Sequence, residues 1–296
     1  MFEKGKGKPH SWSRILLYGP PGVAKTLLAQ AICSEMQGTC FWVSLADLTS
    51  KFIGESEKLL KLLFQTAEER CPSVIVFDEM DSLVRKRSGS ESETERRVKT
   101  EFMRQMDSLS SEVLVVGTTN MPWELDIAAL RRFERKVLVP MPDKSTRKLI
   151  FQQHSGVNHH LTEQDFDTLA RLTEGYTGSD ISIVCNEALL KPVRMLHSAT
   201  HFKPVPRPHG YDSDCDLFWT PCSPADSGAI RKCITEIQPS QLLLRPSEMD
   251  DFRASVENCR PTVSPNFVEL YNKFLAKFGH LEQEQTGKGG NLSYFC

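Results

Sequence analysis

Residues 19–26, GPPGVAKT, form a pattern that could hold phosphate groups. The pattern follows a short apolar run and precedes a helical repeat, which is the context that a phosphate-binding loop requires. Backbone N–H groups of such a loop and of the helix N-terminus bind phosphate oxygens. Lys25 would pair with the β- and γ-phosphates of a nucleotide, and the Thr26 hydroxyl would bind magnesium. The predicted nucleotide-contacting residues here are Gly19, Pro20, Pro21, Gly22, Val23, Ala24, Lys25 and Thr26.

Ala24 departs from the usual spacing of this loop, G-x-x-x-x-G-K-[ST], which has glycine before the lysine. Taken alone, the imperfect match could also be an ordinary Gly-Pro turn before a helix. A methyl group is the smallest side chain that could obstruct a phosphate, and alanine fits without backbone strain if the position has helical φ and ψ. We therefore expect Ala24 to weaken the loop without disabling it.

Two acidic residues follow the apolar run VIVF at 74–77. Ligands of open parallel sheets bind at the carboxyl ends of the strands, so Asp78 and Glu79 would lie beside the phosphates. Asp78 would hold magnesium through water, and Glu79 would polarise the attacking water. The alternative is a strand that simply ends in solvated acids, which is common for one strand but rarer downstream of a phosphate loop.

Three more polar residues could complete a hydrolytic site. Asn120 ends the fourth apolar run, so its amide could contact the γ-phosphate or the attacking water. Taken alone, capping of the turn before Pro122 is the preferred explanation of Asn120. Arg131 and Arg132 stand side by side, and paired surface arginines are usually solvated. In a ring of subunits they would instead reach the neighbour's nucleotide and stabilise transition-state charge as arginine fingers.

Apolar runs alternate with helical repeats over the first half of the chain, which predicts an α/β fold with a parallel sheet covered on both faces. The five predicted strands lie at 15–18, 40–44, 74–77, 113–116 and 137–139. After Pro140 the pattern predicts helices over 144–200, then a Pro- and Ser-rich stretch, then a last helix over about 264–278. The predicted domains are 1–140 (large α/β), 141–202 (small helical), 203–250 (insertion), 251–280 (returning helical part and C-terminal helix) and 281–296 (flexible tail).

Composition excludes several classes of protein. A formal net charge of −2 gives no overall field that would attract nucleic acid or an acidic membrane. No apolar run approaches the roughly 18 residues that span a bilayer, and the start, MFEKGKGKPHSW, lacks the apolar core of a signal peptide. Nine cysteines are scattered without a C-x-x-C pair, and we interpret them as reduced thiols of a cytoplasmic protein.

The motifs GPPGVAKT, FDEMDSL, TTNMPWELD, LRRFERKV and GYTGSDIS, in this order, resemble those of the AAA ATPases of the meiotic clade. The resemblance implies a P-loop AAA domain with a five-stranded parallel sheet, then a small helical domain. It also implies ATP and Mg²⁺ as cofactors and a hexameric ring of like subunits. The segment TPCSPADSGAI resembles part of a β domain inserted in the helical domain of one branch of the clade, a domain that the microtubule-severing branch lacks.

The resemblance also implies a function and further site residues. The function is disassembly of ESCRT-III polymers, whose subunits are pulled into a central pore at endosomal membranes, with an activator protein docked on the inserted β domain. A second pore loop would contain residues 85–87. By the same resemblance, Gly178, Ser179 and His154 lie near adenine and ribose, and Lys51, Phe52 and Ile53 form the substrate-gripping pore loop.

Two other functions are compatible with the sequence. A microtubule-severing ATPase is disfavoured by residues 203–250 and by the lack of a basic linker before the first strand. A nucleotide-binding scaffold subunit without turnover is favoured by Ala24, but a binder that never hydrolyses ATP has no need of Glu79, Asn120 and the paired arginines. The family's N-terminal MIT domain and the segment that contacts adenine have no counterpart before residue 15. A fragment and a genuine short form would both explain that.

Overall fold

The structure is a computed structural model that describes residues 12–44, 55–82, 84, 93–206 and 217–278. The chain divides into two compact units. The first comprises Met1–Pro20, Lys25–Val139 and Pro265–Cys296, and the second comprises Pro21–Ala24 and Pro140–Ser264. The last helix of the described residues, Pro265–Phe278, therefore belongs to the first unit, although the whole of the second unit precedes it in sequence.

The first unit is built on a parallel sheet in the order β2-β3-β4-β1-β5. Its strands are β1 (Arg14–Tyr18), β2 (Thr39–Ser44), β3 (Ser73–Asp78), β4 (Val113–Thr119) and β5 (Arg135–Leu138). Tyr18 pairs with Thr119 and Phe77 pairs with Gly117, so the carboxyl ends of the three central strands share one edge. The α/β fold and its five parallel strands are confirmed.

The described residues contain helices on either side of these strands and throughout the second unit. They are α1 (Lys25–Glu35), α2 (Ser56–Glu69), α3 (Glu93–Ser108), α4 (Ile127–Arg132), α5 (Lys144–His154), α6 (Glu163–Leu172), α7 (Gly178–Ser198), α8 (Met249–Asn258) and α9 (Pro265–Phe278). Within the described ranges, none has the length and apolar character that crossing a bilayer requires.

The core of the first unit packs on both faces of the central strand β3. The interior of β3 is buried on both faces, as expected for an apolar strand in a parallel sheet. On one face Phe77 meets Phe102 of α3 edge-on with ring centroids 5.1 Å apart, and Phe64 of α2 lies 5.9 Å from Phe77. The polar residues at the end of β3 therefore follow a strand that is held by packing on both faces.

The second unit contains helices α5–α8 and a small antiparallel sheet in the order β7-β6-β8. The strands are β6 (His201–Pro206), β7 (Leu217–Pro221) and β8 (Ile230–Arg231). A separate small core beneath this sheet is formed by Leu196, Phe202 and Ile237. A β module is thus present where the sequence predicts an insertion, with its first strand beginning at His201 rather than 203. The predicted tail at 281–296 lies outside the described residues.

One expectation about the cysteines is wrong. Cys33, near the end of α1, and Cys40 of β2 form a disulfide with their Cα atoms 5.9 Å apart. The two residues flank the turn that carries the chain from α1 into β2, so the fold brings them together locally. Cys71, Cys185, Cys222, Cys233 and Cys259 are free thiols, as predicted.

Candidate nucleotide site

The phosphate loop connects β1 to α1, as its sequence predicts. A Cβ atom on Gly19 would lie 2.2 Å from the carbonyl oxygen of Val139, so only glycine fits where the loop leaves β1. The Lys25 side chain is buried, and its ammonium group donates hydrogen bonds to the carbonyl oxygens of Gly19 (2.9 Å) and Pro20 (2.6 Å). The lysine is thus folded back over its own loop.

The surroundings of Lys25 lower the pKa of its ammonium group. Burial lowers the pKa of the ammonium group from 10.5 to about 8, against a smaller opposing effect of Asp81 and Asp78. Desolvation acts in this direction because it penalises the charged form of a lysine. A negatively charged ligand beside Lys25 would offset the free energy that the ammonium group loses on leaving water. The site therefore favours anionic groups.

Ala24 has a backbone conformation that the sequence did not predict. Its φ is +70°, in the left-handed region, and its side chain is exposed. The expectation that alanine fits here through helical φ and ψ is therefore wrong. The left-handed conformation costs an L-residue roughly 1–2 kcal/mol because Cβ approaches the following carbonyl oxygen. Glycine avoids that cost, which explains why the usual pattern has glycine at this position.

The acidic pair follows β3 at the sheet edge beside α1. The Thr26 hydroxyl lies 3.3 Å from both carboxylate oxygens of Asp78, although 52 residues separate the two. The Thr118 hydroxyl, at the end of β4, also donates to Asp78. Glu79 is exposed and has a φ of +53°, and its N–H donates to the Thr118 hydroxyl at 3.1 Å. Sparsely populated backbone conformations of this kind occur at functional sites, where surrounding contacts hold them in place.

Asn120 directly follows β4 and is half-buried. Within the described part of the chain its side-chain amide has no hydrogen-bond partner, so the amide is available to a ligand. Its main-chain carbonyl accepts a hydrogen bond from the Tyr271 hydroxyl. The neighbouring Thr119 hydroxyl donates to Asp81 at 3.0 Å. Neither Tyr271 nor Asp81 was selected from the sequence, and the polar TTN run at the strand end was the one available signal.

The two predicted arginine fingers differ in their environment. Both lie in the last turn of α4. Asp126 caps the other end of this helix, its N-terminus, by accepting a hydrogen bond from Ala128 N–H. Arg131 is exposed. Arg132 forms two hydrogen bonds with the carboxylate of Asp107 and donates a third to the carbonyl oxygen of Ala128. Among the described residues no hydrogen-bond or ion-pair partner of the Arg131 side chain is found, whereas Arg132 is engaged within its own chain.

The predicted adenine and ribose residues belong to the second unit. Gly178 and Ser179 begin α7, whose capping box is formed by Thr177 and Asp180. Ser179 N–H donates to the carbonyl oxygen of Gly22 at 3.2 Å, so the middle of the phosphate loop meets this helix end. His154 is exposed at the end of α5. The nucleotide roles of these residues remain predictions.

The predicted pore loops cannot be placed in the same way. Lys51, Phe52 and Ile53 lie outside the described residues, and so do residues 85–87 of the second predicted loop. Their assignment to substrate rests on the sequence alone.

Three family models match the chain. The model for the ATPase family associated with various cellular activities (AAA) matches residues 15–141, and the AAA+ lid domain matches residues 163–194. The Vps4 C terminal oligomerisation domain matches residues 219–279. A crystal structure of the FIGL-1 AAA domain in complex with ADP aligns with a TM-score of 0.70 and 33% sequence identity, over 91% of this chain and 79% of that one. The chain belongs to the AAA ATPase family.

Curated relatives give a narrower comparison. Vacuolar protein sorting-associated protein 4B of Mus musculus is 45% identical over 281 residues, covering 92% of this chain and 63% of the relative. Vacuolar protein sorting-associated protein 4A of Homo sapiens is 43% identical, covering 92% and 64%. Spastin of Anopheles gambiae is 37% identical, covering 90% and 28%. The chain thus spans less than two thirds of the length of these relatives.

Proposed function

We propose that this protein hydrolyses ATP with magnesium. The observation that carries the proposal is the distance of 3.3 Å between the Thr26 hydroxyl and the Asp78 carboxylate oxygens. Thr26 directly follows the buried Lys25 in sequence. A hydroxyl and a carboxylate are hard oxygen ligands, which suit Mg²⁺. The described residues contain no cluster of three or more Asp, Glu, His or Cys side chains that could hold a metal ion. The other ligands of Mg²⁺ would therefore be phosphate oxygens and water.

Each residue has a distinct task in the proposed hydrolysis. Thr26 and Asp78 would hold Mg²⁺, which neutralises phosphate charge when bound. Lys25 would bind the β- and γ-phosphates, and Glu79 would orient the attacking water and accept its proton. The free amide of Asn120 would contact the γ-phosphate or that water.

The proposed assembly is a ring of like subunits that disassembles ESCRT-III-type polymers. It rests on the match to the Vps4 oligomerisation domain and on similarity to vacuolar protein sorting-associated proteins 4A and 4B. The exposed Arg131 would act on the nucleotide of a neighbouring subunit, because an arginine finger supplied in trans stabilises charge on the transferred phosphoryl group. The proposed location is the cytoplasmic side of endosomal membranes, with an activator protein bound to the β6–β8 module.

A nucleotide-binding scaffold without turnover is the second candidate. The left-handed conformation of Ala24 favours it, because a strained phosphate loop could bind nucleotide without holding the γ-phosphate in line. One experiment separates the two candidates. Phosphate release per subunit is measured over a wide range of protein concentration, with Glu79→Gln as the control. Release that rises with concentration and vanishes in the control supports the ring ATPase, whereas nucleotide binding without release supports the scaffold.

A further inference from the structure

Helix α9 contacts the end of β4. The hydroxyl of Tyr271, in the middle of α9, donates a hydrogen bond to the main-chain carbonyl of Asn120, 151 residues away in sequence. Tyr271 is 2% exposed, and its ring packs on Trp123 with centroids 4.9 Å apart. Phe267, one turn earlier on α9, lies 5.6 Å from the Trp123 ring. The Tyr271 ring, and with it the hydroxyl, is thus held in place by packing of α9 aromatics on Trp123.

This hydrogen bond fixes one side of a single peptide unit. The Asn120 carbonyl and the Met121 N–H belong to the same planar peptide group. The carbonyl accepts from Tyr271, and the N–H donates to the Thr119 hydroxyl at 3.1 Å. That hydroxyl in turn donates to Asp81, just after β3. With both polar atoms engaged, the plane cannot rotate, so ψ of Asn120 and the direction in which its side chain leaves the backbone are set.

The same helix reaches the strand that carries the phosphate loop. Phe274, one turn after Tyr271, meets the ring of Tyr18 edge-on with centroids 5.0 Å apart. Tyr18 is the last residue of β1 and is fully buried, and the loop starts at the next residue. One face of α9 therefore covers the ends of both β1 and β4, the strands from which Lys25 and Asn120 are presented.

We propose that Tyr271 is a positioning residue that holds the peptide unit after Asn120, so that the free Asn120 amide faces the γ-phosphate. The inference rests on the proposed nucleotide site, and it adds to that site a residue that touches neither nucleotide nor water. Loss of the hydroxyl alone should leave the aromatic packing intact but let the peptide rotate. The interaction that distinguishes ATP from ADP would then weaken.

The first test measures binding in a Glu79→Gln background, so that bound ATP persists. The ratio of the ADP and ATP dissociation constants is determined by calorimetry with magnesium for the parent, Asn120→Ala, Tyr271→Phe and the double variant. We expect Asn120→Ala and Tyr271→Phe each to lower the preference for ATP by about tenfold, since loss of a hydrogen bond to a charged group costs this much or more in binding. The double variant should show no further loss, because Tyr271 acts through Asn120.

Tyr176→Phe is the matched control. Its hydroxyl also donates to main-chain carbonyls, those of Cys259 (2.5 Å) and Val256 (3.3 Å), but within the second unit. Both variants lose a hydrogen bond to a main-chain carbonyl, but Tyr176→Phe should keep the parent's ratio of dissociation constants. An unchanged ratio in Tyr271→Phe, an effect that adds to Asn120→Ala, or an unchanged ratio in Asn120→Ala itself would overturn the inference.

A second measurement separates this inference from the proposed hydrolysis. In the background that retains Glu79, Tyr271→Phe should lower kcat with little change in KM, and it should lower kcat no further when Asn120 is already alanine. If the parent releases no phosphate while the ATP preference changes as expected, the proposed hydrolysis is rejected and the positioning role of Tyr271 stands. A kcat loss in Tyr271→Phe that persists undiminished without the Asn120 amide rejects the positioning role.

Discussion

Asp107 of α3 holds Arg132 of α4 through two hydrogen bonds, from Nε at 3.1 Å and from Nη2 at 2.8 Å. This arrangement is the planar bidentate geometry that arginine forms with carboxylates. The arginine keeps the pKa of Asp107 below its usual value, chiefly through that hydrogen bond. A lowered carboxylate pKa means that the pair is formed at neutral pH and is lost only as the pH falls through that lowered pKa. Arg132 is thus occupied, which leaves the exposed Arg131 as the proposed finger.

Arg131→Ala should therefore remove turnover while leaving nucleotide binding nearly intact. An arginine finger contributes about 10³–10⁵ in rate, so phosphate release should fall below detection at every protein concentration. Arg132→Ala should have a much smaller effect, contrary to the equal roles predicted from sequence. Steady-state phosphate release and ATP affinity are measured for both.

Asp107→Asn is the control for this pair, since it weakens the partner of Arg132 without touching either arginine. Because both side chains are partly exposed, we expect at most about 1 kcal/mol of lost stability from Asp107→Asn. Loss of turnover in Arg132→Ala with normal turnover in Arg131→Ala would reverse the assignment.

Glu79→Gln should bind ATP and fail to hydrolyse it. The amide keeps the shape of the side chain but cannot accept a proton from water, a step worth roughly 10²–10⁴ in rate. ATP-bound oligomers should accumulate, which size-exclusion chromatography with and without nucleotide would detect. Glu69→Gln replaces an exposed carboxylate at the end of α2, away from the site, and should turn over like the parent. Parent-like turnover in Glu79→Gln would mean that another group acts as the base.

Ala24→Gly should relieve the strain of a φ of +70°. We expect a gain in unfolding free energy of up to about 1 kcal/mol, the left-handed cost less the extra freedom of glycine in the unfolded chain. ATP affinity should rise by no more than about tenfold, or 1.4 kcal/mol. Thermal unfolding and calorimetric titration measure the two effects.

Ala31→Gly is the control, and it should lower the unfolding free energy rather than raise it. Ala31 is exposed within the regular part of α1, where the same substitution should cost up to about 1 kcal/mol. If both variants lose stability equally, Ala24 is not strained. If the parent fails to bind ATP and Ala24→Gly binds it, the loop of the parent is degenerate, and the scaffold function replaces the ATPase.

ATP affinity should fall with rising pH because of Lys25. Its pKa is about 8 in the free protein, and a bound phosphate raises it, so binding is accompanied by proton uptake. Protonated lysine drops from about nine tenths at pH 7 to about one tenth at pH 9, which predicts about tenfold weaker binding at pH 9. Calorimetry in buffers of different ionisation enthalpy counts the protons. Lys25→Arg, which does not titrate in this range, should bind with no such pH dependence.

The sheet could be predicted from sequence because its strands are apolar runs that end in polar residues. VIVFDE placed both the buried part of β3 and the acidic pair at its carboxyl end. The same reasoning put Asn120 at the end of β4. Such patterns are local, and a parallel sheet brings their ends to a shared edge without further information.

The remaining features depend on contacts that sequence spacing does not encode. Ala24 was given the wrong conformation because its φ follows from loop closure rather than from helix propensity. The pairing of Asp107 with Arg132 and of Tyr271 with Asn120 joins residues 25 and 151 positions apart. Nothing in either local pattern distinguishes these side chains from solvated ones. The Cys33–Cys40 disulfide was missed because scattered cysteines with no metal spacing suggested reduced thiols.

The place of α9 in the chain constrains the order in which the first unit can form. Residues 140–264 are synthesised between β5 and α9, yet Tyr271 and Phe274 belong to the first unit's core. During translation, β1–β5 therefore emerge with the surface around Tyr18 and Trp123 uncovered until α9 is made. A nascent chain in this state exposes aromatic surface, which favours aggregation or chaperone binding. Premature termination just after residue 264 would make that intermediate permanent, although every residue assigned to the nucleotide would be present.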